Sequence, residues 1–157
     1  MNSIVENLIS VSGISDNLPK NTSIFKQFCI EQNLVLSENK PEIHQIISVI
    51  LDISITNKKL IDTPIKTSIE GQNLTGKGLI VEGKIKQKIE YASDTPTKIV
   101  HGTYFNTPFS TFIILSNDYK IDNSLIVTGY IEDNYLSLLD KKTIFENITV
   151  LIDVTRE

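Results

Sequence analysis

Residues 78–101, GLIVEGKIKQKIEYASDTPTKIVH, decide how this chain is read. Leu79, Val81, Ile85, Ile89 and Tyr91 fall on one side of an extended backbone, and Glu82, Lys84, Lys86, Lys88 and Glu90 on the other, because successive side chains of a strand point to opposite faces. The pattern predicts one long strand with a buried and a wet face. Its lysine row could attract a polyanion, but Glu82 and Glu90 bracket it on the same side. A solvated face is the simpler reading, since mixed charge on an outer strand surface also discourages aggregation.

Working outward, residues 47–56 alternate in the same way, with Ile47, Val49, Leu51, Ile53 and Ile55 against Ser48, Asp52, Ser54 and Thr56. Such a strand has a well-specified register. Ahead of it, Ile24, Phe28, Ile30, Leu34 and Leu36 oppose Phe25, Gln27, Cys29 and Glu31, and SENKPEIHQ turns the chain at Pro41. After residue 56 the chain reads as a weaker extended stretch and then a loop through EGQNLTGKG. Beyond the SDTP turn, two short strands are expected on either side of Pro108. A closing hairpin follows, with Leu125, Val127, Gly129 and Ile131 on one arm and Ile144, Ile148, Val150, Ile152 and Val154 on the other. Six or more strands with turns between them predict an all-β fold, an antiparallel β-sandwich or partly open barrel.

Residues 1–20 form an N-terminal arm, and residues 21–157 the β domain. Ile4, Val5, Leu8, Ile9 and Val11 are spaced as on a short amphipathic helix ended by Gly13 and Pro19, and they are candidates for an assembly arm. The arm has no basic start and carries Glu6, so it does not read as a signal peptide. No run of about 18 apolar residues exists to cross a membrane as a helix.

The chain has 157 residues, enough for one core, and 40% hydrophobic with 22% charged residues is a globular balance. A net charge of −4 gives no general attraction for nucleic acid or anionic lipid. The single cysteine, Cys29, excludes an internal disulfide; it is either a small buried hydrophobe or an intermolecular crosslink. His44 and His101 sit in unlike contexts, and neither they nor the scattered Asp52, Asp62, Asp133, Asp140 and Asp153 show the spacing of a metal site or a catalytic pair. The glycines of EGQNLTGKG lack the spacing and the following helix of a phosphate loop, and predict a turn with positive φ. Three Asn-X-Thr/Ser tripeptides, at Asn21, Asn73 and Asn147, are chance matches in an Asn- and Thr-rich chain. No catalytic residue, cofactor or metal is assigned.

The Lys-Pro-Glu-Ile turn with its following Gln-Ile and Ser-Val, the Leu-Ile-Val-Glu-Gly strand, Lys-Ile-Glu-Tyr with Asp-Thr-Pro, and Pro-Phe-Ser-Thr-Phe together resemble the SPOCS domain over roughly residues 23–154. That domain of unknown function occurs in clostridial spore-assembly proteins, sometimes repeated and followed by a peptidoglycan-binding LysM module. The resemblance implies a non-enzymatic structural protein, made in the mother-cell cytoplasm and placed in the spore coat or exosporium. Its partners would be other spore-envelope proteins and further copies of itself, with no nucleic acid and no membrane insertion. A single domain without a LysM stretch suits a building block better than a tether. The alternative is a carbohydrate- or peptidoglycan-binding module, for which Tyr104, Tyr119, Tyr130 and Tyr135 are the rings to inspect.

Overall fold

The computed structural model describes residues 8–20, 24–67, 73–118 and 124–156. Among these described residues seven strands are present: β1 (Ser10–Ser12), β2 (Phe25–Val35), β3 (Ile43–Thr67), β4 (Asn73–Ser93), β5 (Val100–Ile114), β6 (Leu125–Leu138) and β7 (Thr143–Arg156). They form a four-stranded sheet in the order β1-β3-β4-β5 and a three-stranded sheet in the order β2-β7-β6. All neighbours are antiparallel except β1 and β3. Two separate sheets facing one core make this a sandwich, not a barrel.

The alternation read in residues 78–101 holds along β4: Leu79, Val81, Ile85, Ile89 and Tyr91 are buried, while the lysine row faces out. From the same sheet Ile43, Ile46, Val49, Leu51 and Ile113 join this inner row. The opposing sheet supplies Leu34, Ile131, Ile144, Ile148, Val150, Ile152 and Val154. Phe28 on β2 and Phe109 on β5 meet across the gap at a tilted 5.7 Å. Tyr91 closes one end of the core, and its hydroxyl donates to the Pro41 carbonyl at 2.8 Å. Burial pushes its phenol pKa up.

Three local expectations are corrected. The described part of the arm is not helical: Ser10–Ser12 is a strand paired in parallel with Ser48–Ile50 on the β3 edge. Ile9, Val11 and Ile14 pack against the core from there, because an exposed β3 edge offers backbone partners that a three-turn helix on the surface would leave unused. Ile4 and Val5 lie outside the described residues. Of the loop expected through EGQNLTGKG, residues 70–72 lie outside the described residues, and the remainder is strand, for β4 already runs from Asn73. Gly76 does take positive φ, 101°, but opposite a register shift between Asp62 and Ile65, so its freedom serves an irregular ladder and not a terminal turn. The two short strands around Pro108 are one strand, β5. Ser93 N–H donates to Ile99 O (2.8 Å) and Leu115 N–H to Lys77 O (3.2 Å), so odd-numbered β5 residues bond to β4. Pro108 therefore turns its missing donor to the outer edge, where no ladder bond is lost.

Candidate functional site

The two sheets are joined at one end by polar and ionic contacts between turns. Asp94, after β4, accepts from Lys141 in the β6–β7 turn at 2.5 Å, with Lys98 at 3.5 Å and His44 Nδ1 at 3.8 Å. The Lys141 hydrogen bond and charge hold the Asp94 carboxyl below the usual carboxylate range and raise the Lys141 ammonium in return. Backbone bonds run alongside: Ile43 N–H to Lys141 O (2.8 Å), Leu36 N–H to Lys142 O (2.9 Å) and Asp94 N–H to Glu42 O (2.8 Å).

Beside this end lies a groove of about 480 Å³ between the start of β3 and the end of β6. Its walls are Ile9 from the arm, His44 to Ile46 from β3 and Tyr135 to Leu138 from β6. Leu8, Ile47 and Leu139 stand exposed in the adjoining segments. The arm reaches the groove by crossing from one sheet to the other. Ser10–Ser12 pairs with β3, Gly13 turns at φ 102° against the Leu51 carbonyl, and Ser15 N–H donates to Ile131 O on β6 at 2.9 Å. Of the arm residues singled out from sequence, Leu8 is exposed, and Ile9 and Val11 are partly buried on the core.

Cys29 corrects the buried-hydrophobe reading. It is exposed on the outer face of β2, with its sulfur 3.7 Å from the Thr149 hydroxyl. His101 stacks on Tyr91 at 5.8 Å and His44 stands by Asp94, both on the other sheet, so no Cys–His pair is assembled. Among the described residues no three His, Cys, Asp or Glu side chains come together as a metal site would require. Tyr104 is 73% exposed on the outer face of β5, beside the Lys88 ammonium at 5.8 Å, and Tyr135 is exposed at the groove. Tyr119 lies outside the described residues.

A feature that the sequence reading passed over lies inside the sandwich. Glu146 of β7 is wholly buried, and Oε1 accepts from Gln87 Nε2 at 2.7 Å and Gln32 Nε2 at 2.9 Å, while Oε2 accepts from Asn134 Nδ2 at 2.9 Å. Gln32 also bonds the Thr107 hydroxyl at 3.0 Å. Five strands thus contribute to one polar cluster, and Gln87 Oε1 and Asn134 Oδ1 remain without a partner in it. The signal was present as gaps: Glu146, Gln87 and Gln32 each occupy an inward position in an otherwise apolar row. Glu146 and Gln87 are buried while Gln32 and Asn134 are half-buried, so the cluster runs from the core towards the surface and ties the two sheets together by side-chain hydrogen bonds.

The family model described as SipL, SPOCS domain, matches residues 42–139, more than half of the chain. The chain belongs to the SPOCS family. That makes it a sporulation-related protein, carrying a domain of unknown function that is not a known enzyme family. The matched span covers β3 to β6, yet β6 builds its sheet with β7 and β2, so the folded unit extends beyond the match on both sides. No curated protein and no solved structure matches the chain. No helix among the described residues is long and apolar enough to cross a membrane.

Proposed function

We propose that this SPOCS protein is a non-enzymatic building block of the bacterial spore envelope, coat or exosporium, that works by associating with copies of itself and with other envelope proteins. The observation that carries this reading is the groove beside the arm: Ile9, Ile46, Leu136 and Leu138 share its walls with His44, Gln45, Tyr135 and Ser137, and the 65% exposed Leu8 and the exposed Leu139 adjoin Ile9 and Leu138 in sequence. Exposed apolar side chains beside a cleft rimmed by polar ones mark contact sites between proteins. Removal of residues 1–9, which keeps Ser10–Ser12 on the β3 edge, is expected to leave a folded domain that associates less. Electron microscopy and sedimentation over a concentration series, with and without reductant, test it. Assembly by the truncated chain equal to that of the full chain refutes the role of the arm, and an effect of reductant implicates Cys29.

A second reading rests on Tyr104. An exposed ring beside Lys88, with Asn106 and Lys86 on the same sheet face, is a surface on which a sugar ring could stack. Pull-down by purified spore peptidoglycan that is lost in Tyr104→Ala supports a glycan-binding module; no retention of the wild type removes it.

A further inference from the structure

Every sheet edge is a row of backbone donors and acceptors that must be blunted or used. On the four-stranded sheet, β3 is covered by β1 at Ser48–Ile50 and broken by register shifts at four places, and β5 carries Pro108 with its ring turned outward. On the other sheet, β6 is bulged between Ile131 and Asp133; its outer edge is met by Ser15 at Ile131, and the Asn134 N–H is taken by Asp133 Oδ1 at 2.9 Å. The β2 edge has none of these devices. Its eleven residues pair with β7 without a single register shift, and they include no proline. Val154 N–H donates to Ile24 O at 3.0 Å, so even-numbered β2 residues bond to β7 and odd-numbered ones, from Phe25 to Val35, turn their N–H and C=O groups outward. Among the described residues no hydrogen bond reaches these outward groups.

We infer that the open edge of β2 is an assembly edge that pairs antiparallel with β2 of a second copy. This rests on the self-association reading above and adds to the groove beside the arm a second contact, at the other edge of the β2-β7-β6 sheet. The occupant is specified by the strand itself. A two-fold axis at Ile30 is the register that overlaps all of Phe25–Val35, and it sets odd residues against odd residues, as the outward backbone groups require. Phe25, 52% exposed, then faces Val35 of the second copy, 63% exposed, and Gln27 faces Asn33. Two stranded apolar side chains are thereby matched across the axis, while the Gln27 Nε2 keeps its bond to Glu132 Oε1 at 3.0 Å and the Gln27 carbonyl oxygen is offered to Asn33 of the second copy. The three-stranded sheets become one six-stranded sheet with β2 at its centre. Cys29 faces Glu31 of the second copy and stands only diagonal to its own counterpart, about 7–8 Å away, too far for a disulfide.

The test uses the full chain. Glu31→Pro removes one outward N–H and leaves the β7 ladder intact, and should raise the concentration at which association begins by about tenfold or more. Glu31→Cys places a thiol opposite Cys29 of the second copy at about 5.5 Å between Cα atoms and should give a reducible dimer under mild oxidation, where the wild type and the Cys29→Ser/Glu31→Cys double variant do not. If the wild type stays monomeric at every concentration, the association reading falls and this one with it. If the wild type associates but Glu31→Pro does so equally, or Glu31→Cys fails to crosslink, the β2 edge is refuted and association by another surface stands. Should Glu31→Pro lose its β-sheet circular dichroism, the crosslinking result alone decides.

Discussion

Replacing Glu146 separates the two ways of emptying the buried cluster. Glu146→Met keeps the volume and leaves the Gln32, Gln87 and Asn134 amide N–H groups, now paired at 2.7–2.9 Å, without acceptors. A buried donor left unsatisfied costs about 1–3 kcal/mol, which Gln87 bears in full, while the half-buried Gln32 and Asn134 can turn partly to water and Gln32 keeps Thr107, so the expected loss is about 2–4 kcal/mol. That is a large share of the ~5–15 kcal/mol by which domains are stable. Glu146→Gln should behave differently. Its carbonyl can still accept from Gln32 and Gln87, and its new NH₂ group meets Asn134, whose amide can flip to offer the Oδ1 that has no partner in the native arrangement. The expected loss is about 1 kcal/mol. Urea unfolding followed by circular dichroism reads both variants. A Glu146→Met protein as stable as wild type, or a Glu146→Gln protein as damaged as Glu146→Met, would show that the three amides do not depend on this carboxyl.

The Asp94–Lys141 contact predicts two pH limits. Asp94 has a lowered folded pKa, so its contribution is complete above the unfolded carboxyl value of about 3.9 and is lost as pH falls through the lower folded value; Asp94→Asn should flatten that acid limb of a stability profile. Lys141, raised by the same contact, contributes fully below about 10.4 and loses it as pH rises through its folded value, a limb that Lys141→Met should remove. Gly13→Ala would drive a Cβ into the Leu51 carbonyl at a positive φ, and should detach the arm while the rest of the sandwich unfolds with an unchanged slope in urea; full retention of arm protection in amide exchange contradicts this. Ile148→Ala, at a site wholly buried between the sheets, should cost about 2–5 kcal/mol in the same urea titration, and a loss under 1 kcal/mol would argue against a packed core there.

The fold was legible where one face is buried and the other wet. Along β4, and from Val49 to Ile55 in β3, alternation alone identifies the strands and their inner sides. It failed at Pro108 because a proline interrupts a strand only when its nitrogen is needed in the ladder, and which edge faces solvent is a property of the whole sheet. The arm misled for a related reason: Ile9 and Val11 satisfy a strand's period as well as a helix's, and only the presence of the β3 edge selects between them. Cys29 shares its side of β2 with Phe25, Gln27 and Glu31, so its exposure was already implied by the alternation, although its residue type suggests burial. The polar cluster was legible only as missing members of apolar rows; that Glu146, Gln87 and Gln32 meet one another follows from the pairing of two sheets, which no single strand records.

The β3–β4 ribbon also outruns its neighbours. β5 ends at Ile114, opposite Gly78, whereas β3 and β4 continue together to the Thr67–Asn73 pair with, among the described residues, no third strand and only the segment 115–117 beside them, and with Ile65 at the tip exposed. A two-stranded ribbon is marginal in water without further cover. The molecule therefore has a soft end and a hard end: amide hydrogens near Lys66 and Leu74 should exchange through local fraying, while those around Val49, Ile85 and Ile148 wait for the whole domain to open. In a layer built from such units, deformation would be taken up at the ribbon tips and not in the cores.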